Sequence, residues 1–170
     1  MMQIETGRLL LRPLQITDLD DLALIYSDPQ VMRYRVNSQP ASRCETQQML
    51  EEYIQHWEKY GFGRWGIIYK DNQSLIGHCG LEVVDNTSDI EINYLLRRAY
   101  WNQGLATEAA AAMIEYGFTQ LKLERIVAIA QPENIASRCV MEKLGMRYEN
   151  NVMQHNINWM RYVLYKQKWR

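Results

Sequence analysis

Two predicted helix starts on either side of one buried strand constrain this chain more than any other feature. The segment 100–108, YWNQGLATE, places one glycine and small residues at the opening of a helical pattern over 107–121. The segment 134–146, NIASRCVMEKLGM, opens a short helix with Asn134, a favoured N-cap residue, and closes it with glycine. Between them, 125–131 is apolar on both faces, as is typical of a central strand. This order of elements can hold one long ligand at two points.

Hydrophobic periodicity predicts a mixed α+β fold in a single domain over residues 1–170. Strand, helix and strand over 89–131 form a crossover unit, which is expected to be locally parallel and right-handed. We expect about six to seven strands in a mostly antiparallel sheet, flanked by about four helices. The other predicted strands are an edge strand at 8–14 and strands at 64–69, 75–84, 146–154 and 159–166. Two further helices are predicted to begin after Thr17 and after Ser42, and a third is predicted over 137–144.

The composition excludes several classes of partner. A net charge of −1 and a pI near 6.3 give no general attraction to nucleic acid or to membrane surfaces. No stretch approaches the ~20 apolar residues of a membrane helix, and no signal peptide is apparent. Three scattered cysteines indicate free, mostly buried thiols in a reducing compartment. We therefore expect a cytoplasmic protein.

The segment around Gly104 has the features of a diphosphate site. The first N–H groups of a helix have no partner within the helix, and the helix dipole adds positive charge there. Gly104 lacks the Cβ that would block a phosphate, although a simple glycine loop before a helix would look the same. No GxxxxGK[ST] or GxGxxG pattern points to another nucleotide site. The residues expected to offer amides are Asn102, Gln103, Gly104, Leu105, Ala106 and Thr107.

These motifs resemble the GNAT superfamily of N-acetyltransferases, and among them the RimJ/RimL-like ribosomal-protein-alanine acetyltransferases. The matching segments cover nearly the whole chain in order: TGRLLLRPL at 6–14, IEINYLL at 90–96, YWNQGLATEAA at 100–110 and NIASRCVMEKLGM at 134–146. The two central motifs are the specific ones.

The resemblance implies acetyl-CoA as co-substrate and no metal. The backbone of Tyr94, Leu95 and Leu96 would pair with the pantetheine arm, residues 103–107 would hold the pyrophosphate, and Asn134 would bond the pantetheine chain. Two positions depart from the family. Trp101 replaces the usual Gln or Arg of the phosphate motif, and Met141 replaces a tyrosine that acts as general acid. Ser137 is the nearest polar substitute, and an ordinary first-turn serine is the alternative.

Direct transfer to an amine requires a proton acceptor, because only the neutral amine attacks a thioester. Glu91, in the middle of the strand that would end at the pantetheine, is the first candidate base, and Glu82 on the preceding strand is the second. Either one could instead be an exposed strand carboxylate. His78 is the only histidine expected to reach the site.

Three functions remain open from the sequence. The first is acetylation of a primary amine, with protein or peptide N-terminal α-amines favoured by the resemblance. The second is acetylation of a polyamine, amino sugar or aminoglycoside. The third is a non-catalytic acyl-CoA-binding module, which the missing tyrosine at Met141 would allow. The sequence leaves monomer and homodimer equally open.

Overall fold

The computed structural model describes residues 2–170, which form one eight-stranded sheet with helices on both faces. The strand order is β1-β2-β3-β4-β5-β6-β8-β7, and all neighbours are antiparallel except β5 and β6. The strands are β1 Ile4–Glu5, β2 Leu9–Pro13, β3 Arg64–Tyr69, β4 Ser74–Val83, β5 Ile90–Leu96, β6 Arg125–Ala130, β7 Arg147–Gln154 and β8 Ile157–Tyr165.

Five α-helices cover the sheet, and they are α1 Leu19–Tyr26, α2 Pro29–Met32, α3 Arg43–Tyr60, α4 Leu105–Thr119 and α5 Ile135–Lys143. On one face α4 packs its apolar stripe, including Met113 and Ile114, into the larger core. On the other face α1 and α3 close a second apolar cluster around Leu22 and Leu50. None of the helices within residues 2–170 is long and apolar enough to cross a lipid bilayer.

The predicted mixed α+β sheet with its parallel crossover is confirmed, with one strand and one helix more than expected. The two-residue β1 and the four-residue α2 are too short to produce a periodic pattern. Because β1 pairs outside β2, the segment that was expected to be an edge strand is an internal one. The prediction of mostly buried thiols is wrong, since Cys44 and Cys139 are exposed and only Cys79 is buried.

The parallel strands β5 and β6 pair at one end and separate at the other. Their register contains the single pair Glu91 and Val127. At the paired end, Asp89 accepts ionic hydrogen bonds from Arg125 on β6 (2.6 Å) and Arg161 on β8 (2.5 Å). The remainder of β5 therefore has one side free of backbone partners on β6, and this opening leads into the main cleft.

Candidate active site

A cleft of about 1060 Å³ runs through the opening between β5 and β6. This volume slightly exceeds the usual range for a single small-molecule site, so two reactants have room. On one side the cleft is bordered by the starts of α4 and α5, and on the other by α2, α3 and the end of β4. The predicted site residues that line it are Glu82, Glu91, Tyr94, Leu95, Leu96, Asn102, Gly104, Leu105, Ala106, Thr107, Asn134 and Ser137.

The start of α4 presents free backbone donors to the cleft. Gly104 is the N-cap residue and has a left-handed φ of +75°, and Asn102 before it has φ 61°. Within residues 2–170, no acceptor bonds the backbone N–H groups of residues 102–107. Gln103 alone among the predicted site residues does not line the cleft, because its side chain bonds the carbonyl of Ala99 (3.1 Å). An anion placed at this turn would meet several unpaired donors and the positive end of the helix dipole.

The start of α5 is joined to β5 across the opening. The Asn134 side chain accepts from the N–H of Ser137 (3.3 Å), as an N-cap residue does. The Tyr94 hydroxyl donates to the Ser137 carbonyl (2.9 Å) and lies 3.0 Å from the Ser137 hydroxyl. Burial raises the pKa of Tyr94, so this phenol stays neutral. No acceptor within residues 2–170 bonds the side-chain amide N–H groups of Asn134, so a ligand could use them.

Trp101 occupies the position where the resembled family has Gln or Arg. Its indole N–H donates to the carbonyl of Leu96, the last residue of β5 (2.8 Å). One of the backbone acceptors that was expected to pair with a pantetheine arm is therefore already bonded. The substituted side chain ties the end of β5 to the loop before α4.

Two glutamates face each other across β4 and β5, with Glu82 directly opposite Glu91 in the register. Burial, followed by the charge of Glu82, raises the pKa of Glu91 from its ordinary value of 4.5 to about 7, against the opposing charges of Arg64 and Arg161. No side-chain hydrogen bond holds Glu91 among the described residues. A carboxyl group in this state exchanges its proton near neutral pH, as a general base must.

The pKa of Glu82 is shifted in the opposite direction from that of Glu91. Burial pushes its pKa upward, but the charge and hydrogen bonds of Arg64 outweigh this, so the pKa of Glu82 lies below its ordinary value. Arg64 binds it with two bonds of 2.6 and 2.8 Å, and Asn93 donates a third of 3.2 Å. Neither Arg64 nor Asn93 was predicted, because nothing in the local sequence indicates that β3 and β5 contribute to one polar cluster.

His78 does not reach the cleft, so its predicted place there is wrong. It is 1% exposed, and its Nε2 lies 2.7 Å from the Tyr26 hydroxyl, which also contacts the Tyr53 hydroxyl at 2.9 Å. Burial lowers the pKa of His78 well below its ordinary value, so the ring remains neutral. Among residues 2–170, no three His, Cys, Asp or Glu side chains come together as a metal site would require.

The Acetyltransferase (GNAT) domain model matches residues 8–147. The chain is 35% identical over 151 residues to the uncharacterized N-acetyltransferase p20 of Bacillus licheniformis, covering 88% of this chain and 84% of the relative. It is 28% identical over 152 residues to the spermidine N(1)-acetyltransferase of Escherichia coli K12, covering 84% and 75%.

Two solved structures share the whole fold. A GNAT-family acetyltransferase from Bacillus anthracis has a TM-score of 0.85 at 30% identity, with 98% of this chain and 99% of that chain covered. RimL, a ribosomal L7/L12 α-N-protein acetyltransferase in complex with coenzyme A, has a TM-score of 0.83 at 15% identity, with 96% and 98% covered. At that identity, the second likeness concerns the fold alone. The cleft, the open start of α4 and these similarities lead to one conclusion: this chain belongs to the GNAT acetyltransferase family and uses acetyl-CoA as its co-substrate.

Proposed function

We propose that this acetyltransferase transfers the acetyl group directly to a peptide N-terminal α-amine, with Glu91 as the general base. The observation that carries the proposal is the Glu91 carboxyl group, which lines the cleft with a pKa of about 7. Acetyl-CoA would supply the activated acetyl thioester. The chain itself has to bind both reactants, accept a proton from the amine and assist the departing thiolate.

The pKa of Glu91 favours an α-amine over a side-chain amine. An α-ammonium group has a pKa of about 7.7–8.0, whereas a lysine-type ammonium has one of about 10.4. Proton transfer to a carboxylate of pKa about 7 is therefore nearly balanced for the α-amine. For the more basic amine the same proton transfer is unfavourable by roughly three pKa units. Directly or through one water, Glu91 suits the less basic acceptor.

Ser137 is the proposed donor to the departing thiolate. Its hydroxyl lies in the first turn of α5, within hydrogen-bond distance of Tyr94, and lines the cleft. Because the Tyr94 phenol donates its one proton to the Ser137 carbonyl, the Ser137 hydroxyl keeps its own proton and can turn it from the phenol oxygen into a hydrogen bond to the departing thiolate. Met141, at the family's tyrosine position, is 2% exposed and has no proton to give. Asn134 and the amides of residues 102–107 are the proposed contacts to the pantetheine arm and the diphosphate.

A polyamine acceptor is the second candidate, because one relative is a spermidine N(1)-acetyltransferase. Two more carboxylates, Glu45 and Glu52, line the cleft near α3 and would attract a polycation. Both are exposed, and Glu45 also bonds the backbone N–H of Ser42 at 2.6 Å. Exposed carboxylates bind cations weakly, so these two groups do not favour a polyamine over a peptide.

Thiol release from acetyl-CoA tests both candidates. Short peptides with free N-termini are compared with N-terminally blocked copies, with spermidine and spermine, and with a panel of aminoglycosides. We expect release with the free peptides only. Release with the polyamines or aminoglycosides alone would replace the proposal with small-amine acetylation. Binding of acetyl-CoA without release for any acceptor would indicate a non-catalytic module.

A further inference from the structure

The loop before α4 is attached to the N-terminal strand region by a network of short hydrogen bonds. The guanidinium of Arg8 donates from Nη1 to the carbonyl of Gln103 (2.8 Å) and from Nε to Glu108 (2.8 Å). The other Glu108 oxygen accepts from the Arg8 backbone N–H (2.8 Å) and from the Thr6 hydroxyl (2.6 Å). Arg8 therefore makes a forked contact with the residue before Gly104 and with the first turn of α4.

This contact fixes the orientation of one peptide group. In a trans peptide the C=O of one residue and the N–H of the next point in opposite directions. Because Arg8 holds the Gln103 carbonyl on its own side, the N–H of Gly104 must point away from Arg8. Gly104 lines the cleft and its N–H has no acceptor among residues 2–170. The network therefore fixes the direction of the Gly104 N–H at the start of α4 before any ligand binds.

Arg8 is also close enough to make the electrostatic potential at this turn more positive. Its Nη2 lies 3.6 Å from the position that a Cβ on Gly104 would take, and the side chain is 46% exposed. Both oxygens of the Glu108 carboxylate accept hydrogen bonds from Thr6 or Arg8, three in all. An arginine has the planar fork needed to hold two acceptors at once, whereas a lysine offers a single charged point.

We propose that Arg8 is a positioning residue of the acetyl-CoA site, whose forked bonds to Gln103 and Glu108 set the affinity for the diphosphate. This rests on the proposed binding of the acetyl-CoA diphosphate at the start of α4. It extends the site to a residue about a hundred positions away in the chain. The loop motif alone would then be insufficient for full affinity.

Arg8→Ala and Arg8→Lys test the proposal with two donors, acetyl-CoA and S-acetylpantetheine, which lacks the diphosphate. For Arg8→Ala we expect a KM for acetyl-CoA about tenfold higher, with kcat within twofold, because a charge-assisted bond that orders the loop is lost. The kcat/KM for S-acetylpantetheine, measured at high enzyme concentration, should stay unchanged. Arg8→Lys should recover less than half of the loss, since it keeps the charge but not the fork.

Arg43→Ala is the matched control, because Arg43 also forms an exposed ion pair, with Asp20 at 2.5 Å, but does not line the cleft. It should leave the KM for acetyl-CoA and the kcat/KM for S-acetylpantetheine unchanged. An unchanged KM for acetyl-CoA in Arg8→Ala, or full recovery in Arg8→Lys, would overturn the proposal. An equal loss for both donors would indicate a general structural role and would also overturn it. If the wild-type protein neither binds acetyl-CoA nor releases thiol, the proposed function itself fails.

Discussion

The start of α4 and the polar face of β4 and β5 border the same cleft, but they are built from different parts of the chain. The helix start offers backbone N–H groups from one continuous segment, residues 102–107. The polar face depends on side chains from three strands, with Arg64 on β3, Glu82 on β4 and Glu91 on β5. Backbone donors keep their chemistry whatever side chain they carry, whereas side-chain carboxylates change theirs with every neighbour. We therefore expect ligand binding at the helix start to depend on backbone conformation, and proton transfer at the polar face to depend on charge and pH.

The largest effect should follow from Glu91→Gln, which removes the proposed base and keeps the shape of the side chain. We expect kcat at pH 7.5 to fall at least about a hundredfold, as is typical when a general base is lost. The KM for acetyl-CoA should stay within twofold. Steady-state thiol release measures both values, and Glu124→Gln, an exposed glutamate outside the cleft, is the control. An unchanged kcat would remove Glu91 from the mechanism.

The same substitution should stabilise the fold at high pH. The pKa of Glu91 is raised by folding to about 7, so the folded state binds this proton more tightly than the unfolded state does. The stability from this group is complete below its unfolded pKa and is lost as the pH rises through about 7. Glutamine stays neutral, so at pH 8 the variant should exceed the wild type by about 3 kcal/mol in free energy of unfolding. Urea titrations at pH 4 and pH 8 measure the difference, and an equal effect at both pH values would contradict the raised pKa.

Gly104→Ala tests whether ligand binding at the start of α4 depends on the backbone conformation of that turn. The φ of +75° disfavours any residue with a Cβ by about 1–2 kcal/mol, although no atom of the protein would clash with it. We expect acetyl-CoA affinity to fall about tenfold, since 1.4 kcal/mol corresponds to a factor of ten. Calorimetric titration measures the dissociation constant. Gly61→Ala, at the end of α3 with a similar φ of +77°, nothing within 4 Å and no place in the cleft lining, is the matched control and should bind normally.

The smallest effect should come from Glu82→Gln, which removes the charge opposite Glu91 but retains the side-chain volume. Because that charge contributes to the raised pKa of Glu91, the pKa should fall. The acidic limb of the pH profile of kcat/KM should move to lower pH by about half a unit or more. If Glu82 were the base instead, the variant would lose turnover at every pH. A limb that does not move would show that the two carboxylates are electrostatically independent.

Most of the strand and helix assignments follow from local pattern. The strand at 64–69 has the predicted bounds, and the helix after Ser42 begins at its expected cap. The helix predicted over 107–121 covers Leu105–Thr119, so it begins two residues earlier than expected. The misses were elements without a period, such as β1 and α2, and side chains whose role depends on distant partners. His78 illustrates the second kind. Its strand position suggested access to the site, but α1 and α3 bury it beneath Tyr26 and Tyr53.

The sequence by itself determined the order of elements, the two helix starts and the resemblance to the GNAT family, because these depend on residues that are close together in the chain. Only the tertiary structure decided which carboxylate titrates near neutrality. Glu82 and Glu91 are both strand glutamates in the sequence. The register gives Arg64 to Glu82 and leaves Glu91 half-buried, with no cation bonded to it among residues 2–170, and this creates the difference. Only the fold, likewise, brings Arg8 to the carbonyl of Gln103. Electrostatics and hydrogen bonds act through space, and distances in space are fixed by packing.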